Sequence, residues 1–268
     1  MNGMGGLQLT EPISISSKLE LTKGKIHTGS NVLIFENTAN DIIGGNTKSY
    51  INGNCKKIGN TAFMFAIGDT NQYAPMAISA ASGGGNPADA FMARYYGKSP
   101  QPIYDITLHE SSIVVVSDME YWTLDRTGTN NVAVTLSWNT WSGVSSLSDL
   151  LVVRWDGSKW VNHGNAATSG DATFGTITST VVYNFSPFTL GSINKNTDPL
   201  PITLTNFSVE CMNNGPLIQW TTLSELNNNY FEIEQSVDAI HWNTFYRTPG
   251  AGNSTTEKNY TYIGEYTL

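Results

Sequence analysis

Charged side chains are scarce in this chain: 14 Lys and Arg and 22 Asp and Glu among 268 residues, 13% in all, where a globular chain usually has about 25%. The net charge of −8 argues against a nucleic-acid reader, because neutralising phosphates needs clustered Lys and Arg. It also disfavours anionic membrane surfaces. The local basic pair, Lys56-Lys57, reads as a solvated strand end. Cysteine is nearly missing. Cys55 and Cys211 stand far apart, which leaves a disulfide between them open, since a bond needs close Cα atoms. Two isolated thiols make no zinc site. Long apolar runs are missing too. Ser112-Ile113-Val114-Val115-Val116-Ser117 falls far short of the roughly 20 residues of a membrane span, so no membrane insertion is expected. The segment Met1-Asn2-Gly3-Met4-Gly5-Gly6 has neither the charged nor the apolar part of a secretory signal; for an exported chain the signal is expected upstream.

What remains is apolar and polar-uncharged. Hydrophobic residues make up 40%, enough for a sizeable core without staples, and Ser, Thr, Asn and Gly fill the other places. Residues 7–45 carry short apolar pairs, among them Leu7/Leu9, Ile13/Ile15, Leu19/Leu21 and Val32-Leu33-Ile34-Phe35, parted by turn residues. Such runs suit the rungs of a β-solenoid, with an antiparallel meander as the alternative. Residues 49–60 read as strand, turn, strand, and Ala62–Gly68 as a buried strand. Tyr73–Ser79 follows as a strand that Pro75 places at an edge or bulge. The clearest stretch is 118–195. Val132, Val134, Leu136 and Trp138 alternate with smaller polar residues, as do Leu151, Val153 and Trp155. Asp156-Gly157-Ser158 is a hairpin signal that brings Trp155 and Trp160 together. Asn196-Thr197-Asp198-Pro199-Leu200 reads as a linker.

Chemistry-bearing residues are thinly spread. His27, His109, His163 and His241 show no metal-ligand spacing. Gly143-Val144-Ser145-Ser146-Leu147 fails as a nucleophile elbow, and nothing gathers Asp105, His109 and Ser111 into a triad. Asp118/Glu120 and Glu232/Glu234 are i, i+2 pairs on one strand face, read as solvated outward charges rather than the facing carboxylates of a glycosidase. No cofactor is expected; the one cation left open is calcium, with Asp69, Asp89 and Asp171 as loop carboxylates. Aromatics are the best lead. Trp138, Trp141, Trp155 and Trp160 concentrate in the central module. Trp138 and Trp155 share faces with Val and Leu and read as core. Trp141, in Thr140-Trp141-Ser142-Gly143, sits in a turn and is the candidate ligand-binding residue.

Two blocks carry a resemblance. The first is Asn52-Gly53-x-x-Lys56-Lys57-Ile58-Gly59-Asn60-Thr61-Ala62-Phe63, with Tyr73-Ala74-Pro75, Glu120–Arg126, Arg154-Trp155-Asp156-Gly157, Trp160-Val161 and Phe185-Ser186-Pro187-Phe188-Thr189-Leu190. It resembles a module of large secreted proteins of Bacteroidota-type bacteria. The second is Leu200-Pro201-Ile202-Thr203-Leu204 and Phe207, with Gln219-Trp220-Thr221-Thr222-x-Ser224-Glu225-x-Asn227-Asn228-x-Tyr230-Phe231-Glu232. It is similar to the fibronectin-like domain that precedes a type IX secretion sorting domain. The resemblance covers roughly residues 20–268 and implies export to the surface or medium within a multi-modular protein. The sorting domain itself is not in this sequence, and no catalytic residue carries over.

The chain is thus expected to be all-β. Solenoid or meander rungs are assigned to 1–48, a β-sandwich to 49–195, the linker to 196–200, and an incomplete fibronectin- or immunoglobulin-like sandwich to 201–268. The expected role is a non-catalytic connecting module, with adhesion attached to it, whose partners are flanking domains of the same polypeptide and surface polysaccharide. The alternatives are a glycan-binding accessory module, or a piece of a secreted hydrolase whose catalytic domain lies upstream.

Overall fold

The computed structural model describes residues 6–39, 41–70, 72–194, 203–212, 215–254 and 256–264. The chain is all-β, with two short 3-10 turns among the described residues. Residues 1–198 and 199–268 form two compact units. The linker expected at 196–200 lies outside the described residues.

The first unit opens with β1 (Leu7–Gln8), β2 (Ile13–Ile15), β3 (Lys18–Leu21), β4 (Ile26–Phe35), β5 (Asp41–Gly44) and β6 (Ile51–Ile58). β1 and β2 pair with β4, β4 with β6, and β3 with β5, all in parallel. A meander would pair antiparallel. The parallel pairing lines side chains up in columns. Leu7, Ile26 and Ile51 form one column, and Ile15, Phe35 and Lys57 another.

Lys57 is therefore not a solvated strand end. It occupies an inward position and is fully buried. Its ammonium donates to the carbonyls of Glu36 (2.9 Å) and Asn37 (3.2 Å), partners a buried cation requires, and burial lowers its pKa. Nor do residues 49–60 contain a turn. β6 runs straight through Gly53, at φ 129°, a conformation that favours glycine. β4 bulges opposite it, the register stepping from His27↔Asn52 to Val32↔Asn54. The buried Thr28 hydroxyl of that bulge accepts the Asn54 N–H at 2.9 Å, in the space a Cβ on Gly53 would take.

The chain continues through β7 (Phe63–Phe65), β8 (Ile67–Gly68), β9 (Met76–Ile78), β10 (Ala90–Tyr96), β11 (Val115–Val116) and β12 (Tyr121–Thr127). Then come β13 (Val132–Asn139), β14 (Leu150–Trp155), β15 (Trp160–Asn162), β16 (Ala167–Gly170), β17 (Phe174–Val182) and β18 (Phe188–Ser192). The parallel strands pass into antiparallel ones within one sheet, ordered β1-β4-β6-β10-β12-β18-β14-β15. β9 begins just after Pro75 and is an interior strand of a second sheet, ordered β16-β17-β13-β9-β7. One apolar core joins the two sheets, with Phe91, Trp122, Leu124 and Phe188 from the first and Phe65, Met76, Leu136 and Ile177 from the second. This is a sandwich-like arrangement. Trp122 is fully buried and its indole N–H donates to the Ala74 carbonyl at 3.0 Å. Burial of one such ring stabilises by roughly 1.5–3 kcal/mol.

β14 is buried on both faces. Leu150 and Val152 enter the main core, while Leu151 and Val153 join Ile113, Val116 and Trp160 in a second cluster. Trp155 and Trp160 are register partners across the Asp156-Gly157 hairpin, with ring centroids 5.8 Å apart.

The second unit holds β19 (Thr203–Met212), β20 (Gly215–Gln235), β21 (Asn243–Ser254) and β22 (Lys258–Ile263). β20 is unusually long. Its first half pairs with β19 and β22, and its second half with β21. Trp220, Ile218 and Ile233 form its buried core, with Phe231 and Tyr260 packed against them.

Candidate functional site

Trp141 stands on the 3-10 turn Thr140–Ser142 that follows β13. The turn is built locally. Asn139 leaves the strand in an extended conformation and its side chain accepts the Trp141 N–H at 2.8 Å, while the Ser142 hydroxyl accepts the Asn139 N–H at 3.1 Å. Gly143, at φ 74°, ends the turn in the left-handed region that suits glycine. Replacing Asn139 by Ala is expected to lower the stability of the first unit by about 1 kcal/mol through loss of this cap, measurable by urea unfolding.

The turn forms one wall of a groove of about 610 Å3, within the size range of small-ligand sites. Trp138, Tyr73 and Phe174 line it with Trp141. Trp141 is half-buried, Phe174 is 65% exposed and Trp138 only 3% exposed. Trp138 is held by a hydrogen bond from its indole N–H to the Asp171 carbonyl at 2.8 Å. Gly175 makes room for that ring, since a Cβ there would collide with it. Gln72, Asn139, Ser169 and Thr176 add amides and hydroxyls. No lining side chain carries a charge, and burial raises the pKa of the Tyr73 phenol, which keeps it neutral. Aromatic faces ringed by neutral donors and acceptors can stack on the C–H faces of a ring and hydrogen-bond its hydroxyls.

Glu120 lies near the turn. It is fully buried rather than solvated outward. One carboxyl oxygen accepts the Tyr95 hydroxyl at 2.8 Å, and the other has no partner of good hydrogen-bond geometry. Burial pushes its pKa up to about 7; the Ser142 hydroxyl and Tyr95 pull the other way, and the Asp69 charge adds to the rise. Asp118, its i−2 neighbour, is half-buried and accepts the Ser99 hydroxyl. Glu232 and Glu234 are exposed, as expected, with Glu232 3.7 Å from Arg247.

The other candidates are used locally. Asp69 accepts the N–H groups of Gln72 and Gly97, Asp89 those of Thr129 and Asn130, and Asp171 those of Thr173 and Phe174. The three proposed calcium carboxylates thus pin turns, and among the described residues no cluster of metal-ligating side chains forms. Asp105 accepts from Thr107, and His109 contacts the Glu110 carbonyl. His27, His163 and His241 meet Asn52, Arg154 and Asp238 respectively. Cys55 is buried, Cys211 is exposed, and both are free thiols.

The sequence singles out Trp141 as the candidate and Trp138 as core, which it is; Tyr73 and Phe174 carry no sequence signal that places them beside Trp141. Tyr73 enters just before β9, Trp138 and Trp141 from β13 and the turn after it, and Phe174 from β17, which pairs with β13. A comparison with protein-family models, curated proteins and solved structures finds no match.

Proposed function

We propose that this chain is a non-catalytic connecting and adhesive module of an exported bacterial protein, and that its Trp141 groove holds a neutral polysaccharide. The observation that carries the adhesive part is the uncharged aromatic lining, Trp138, Trp141, Tyr73 and Phe174, with amides and hydroxyls between them. A sulfated or uronic chain would find no counter-charge there. The connecting part is supported by the single hydrogen-bonded sheet that runs from the parallel strands at β1 to β15. Export to the surface, within a longer polypeptide, is supported by the two sequence blocks described above and by the low-charge composition.

A polysaccharide and glycan array tests this. The chain should bind one or more neutral glycans. Binding should persist at about 1 M salt, where the screening length is only about 3 Å. Trp141→Ala should weaken it at least about tenfold, the effect of about 1.4 kcal/mol. Binding confined to anionic glycans, or equal binding by the variant, would refute the reading.

A further inference from the structure

We infer that a second pocket, walled by Arg154, Asp125, Tyr104 and Trp155, binds a hydroxyl pair on a neutral sugar ring. It is a separate cavity of about 660 Å3, and the inference stands apart from the Trp141 groove.

Arg154 carries the argument. It lies on β14, is only 7% exposed and lines the pocket. Its Nε donates to His163 Nε2 at 3.3 Å and its Nη1 to the Trp155 carbonyl at 2.7 Å. Neither partner is a carboxylate, and among the described residues Nη2 has no acceptor and the guanidinium no ion pair. A guanidinium has five donors; those of Nη2 open on the pocket, where a ligand acceptor can take the place of water.

The acceptors and donors that could complete a ligand's bonding face the same cavity. Asp125 is exposed and makes no hydrogen bond or ion pair among the described residues. Asp156 spends one oxygen, Oδ1, on Ser158 and Lys159, leaving Oδ2 unspent. Trp155 and Tyr104 supply ring surface, their centroids 6.1 Å apart.

Two carboxylates and one guanidinium give the cavity a net negative charge, which disfavours an anion, while the guanidinium disfavours a metal ion. A hydroxyl pair suits both kinds of group. Each hydroxyl can accept from Arg154 and donate to a carboxylate, while the ring packs against the aromatic residues.

The test is saturation-transfer NMR titration of the Trp141→Ala chain, which removes the groove's contribution, with methyl glucoside, galactoside and mannoside. At least one should saturate with a Kd near 1 mM, about −4 kcal/mol. Asp125→Asn, a surface change that should leave the thermal midpoint in place, should weaken that binding about tenfold. Methyl glucuronide should bind more weakly than methyl glucoside. Absence of saturation by all three glycosides, full affinity in the Asp125→Asn chain, or tighter binding of the glucuronide would each overturn the inference. None of these results depends on whether Trp141→Ala affects polysaccharide binding in the array.

Discussion

Replacing Glu120 by Gln is expected to stabilise the first unit at pH 8 by about 3 kcal/mol. The folded carboxyl has a pKa of about 7 against an ordinary 4.5, and each unit is worth about 1.36 kcal/mol. The sign follows from proton counting. Between pH 4.5 and 7 the folded chain keeps a proton on Glu120 that the unfolded chain has lost, so this group's contribution falls as pH rises through that window and is flat above it. Gln has the same shape without the charge, and its amide oxygen can accept from Tyr95 as Glu120 does at 2.8 Å. His163 works in the opposite sense. Burial and the Arg154 charge hold its pKa at about 4, so its contribution rises with pH between about 4 and 6.5. The two trends offset one another in the wild type. In Glu120→Gln the falling contribution of this carboxyl is gone. Urea unfolding at pH 5, 6, 7 and 8 should show the gap between the two chains widening up to about pH 7 and then levelling off. A variant less stable than wild type at pH 8 would contradict this.

The second large effect is expected in the other unit. Glu225 is 2% exposed and sits where β20 passes from its β19 and β22 partners to β21. Its carboxylate accepts from Thr222 (2.8 Å), Tyr260 (2.5 Å), Asn228 (2.8 Å) and the Ala251 N–H (2.7 Å). Burial alone would raise its pKa, but these hydrogen bonds outweigh burial and the pKa is lowered. Glu225→Ala leaves four donors without their acceptor, and an expected loss of about 3 kcal/mol follows from the cost of unpaired buried groups. Hydrogen exchange should show faster exchange across β20, β21 and β22, with the first unit unchanged. The wild-type contribution should be present above the ordinary carboxyl pKa and fade as pH drops through the lowered one. Unchanged protection of β20 in the variant would show that the carboxylate does not hold the strand where its partners change.

Local pattern made much of the fold legible. The alternation of Val132, Val134, Leu136 and Trp138 is the buried face of β13, and Asp156-Gly157 gives the hairpin that pairs Trp155 with Trp160. The short runs before residue 45 became strands paired in parallel, a pairing their irregular spacing left open. What stayed hidden depends on partners distant in sequence. Lys57 looks like any strand-end lysine until its inward column and the Glu36 and Asn37 carbonyls are known. Gly53 looks like a turn glycine until the Thr28 bulge is placed opposite it. Glu120 looks solvated beside Asp118, yet β12 follows it with Tyr121 and Trp122 both buried, so the outward alternation does not begin there. The groove was half legible: Trp141 in its turn could be singled out, but Tyr73 and Phe174 reach it from stretches far off in sequence.

The most direct measurement is an NMR titration that follows the indole N–H signals while a neutral oligosaccharide identified on the array is added. The Trp141 signal, and that of Trp138 whose N–H is fixed to the Asp171 carbonyl, should shift in proportion to binding, while the deeply buried Trp122 stays in place. Binding that leaves Trp138 and Trp141 unmoved would contradict the assignment of this groove as the adhesive site.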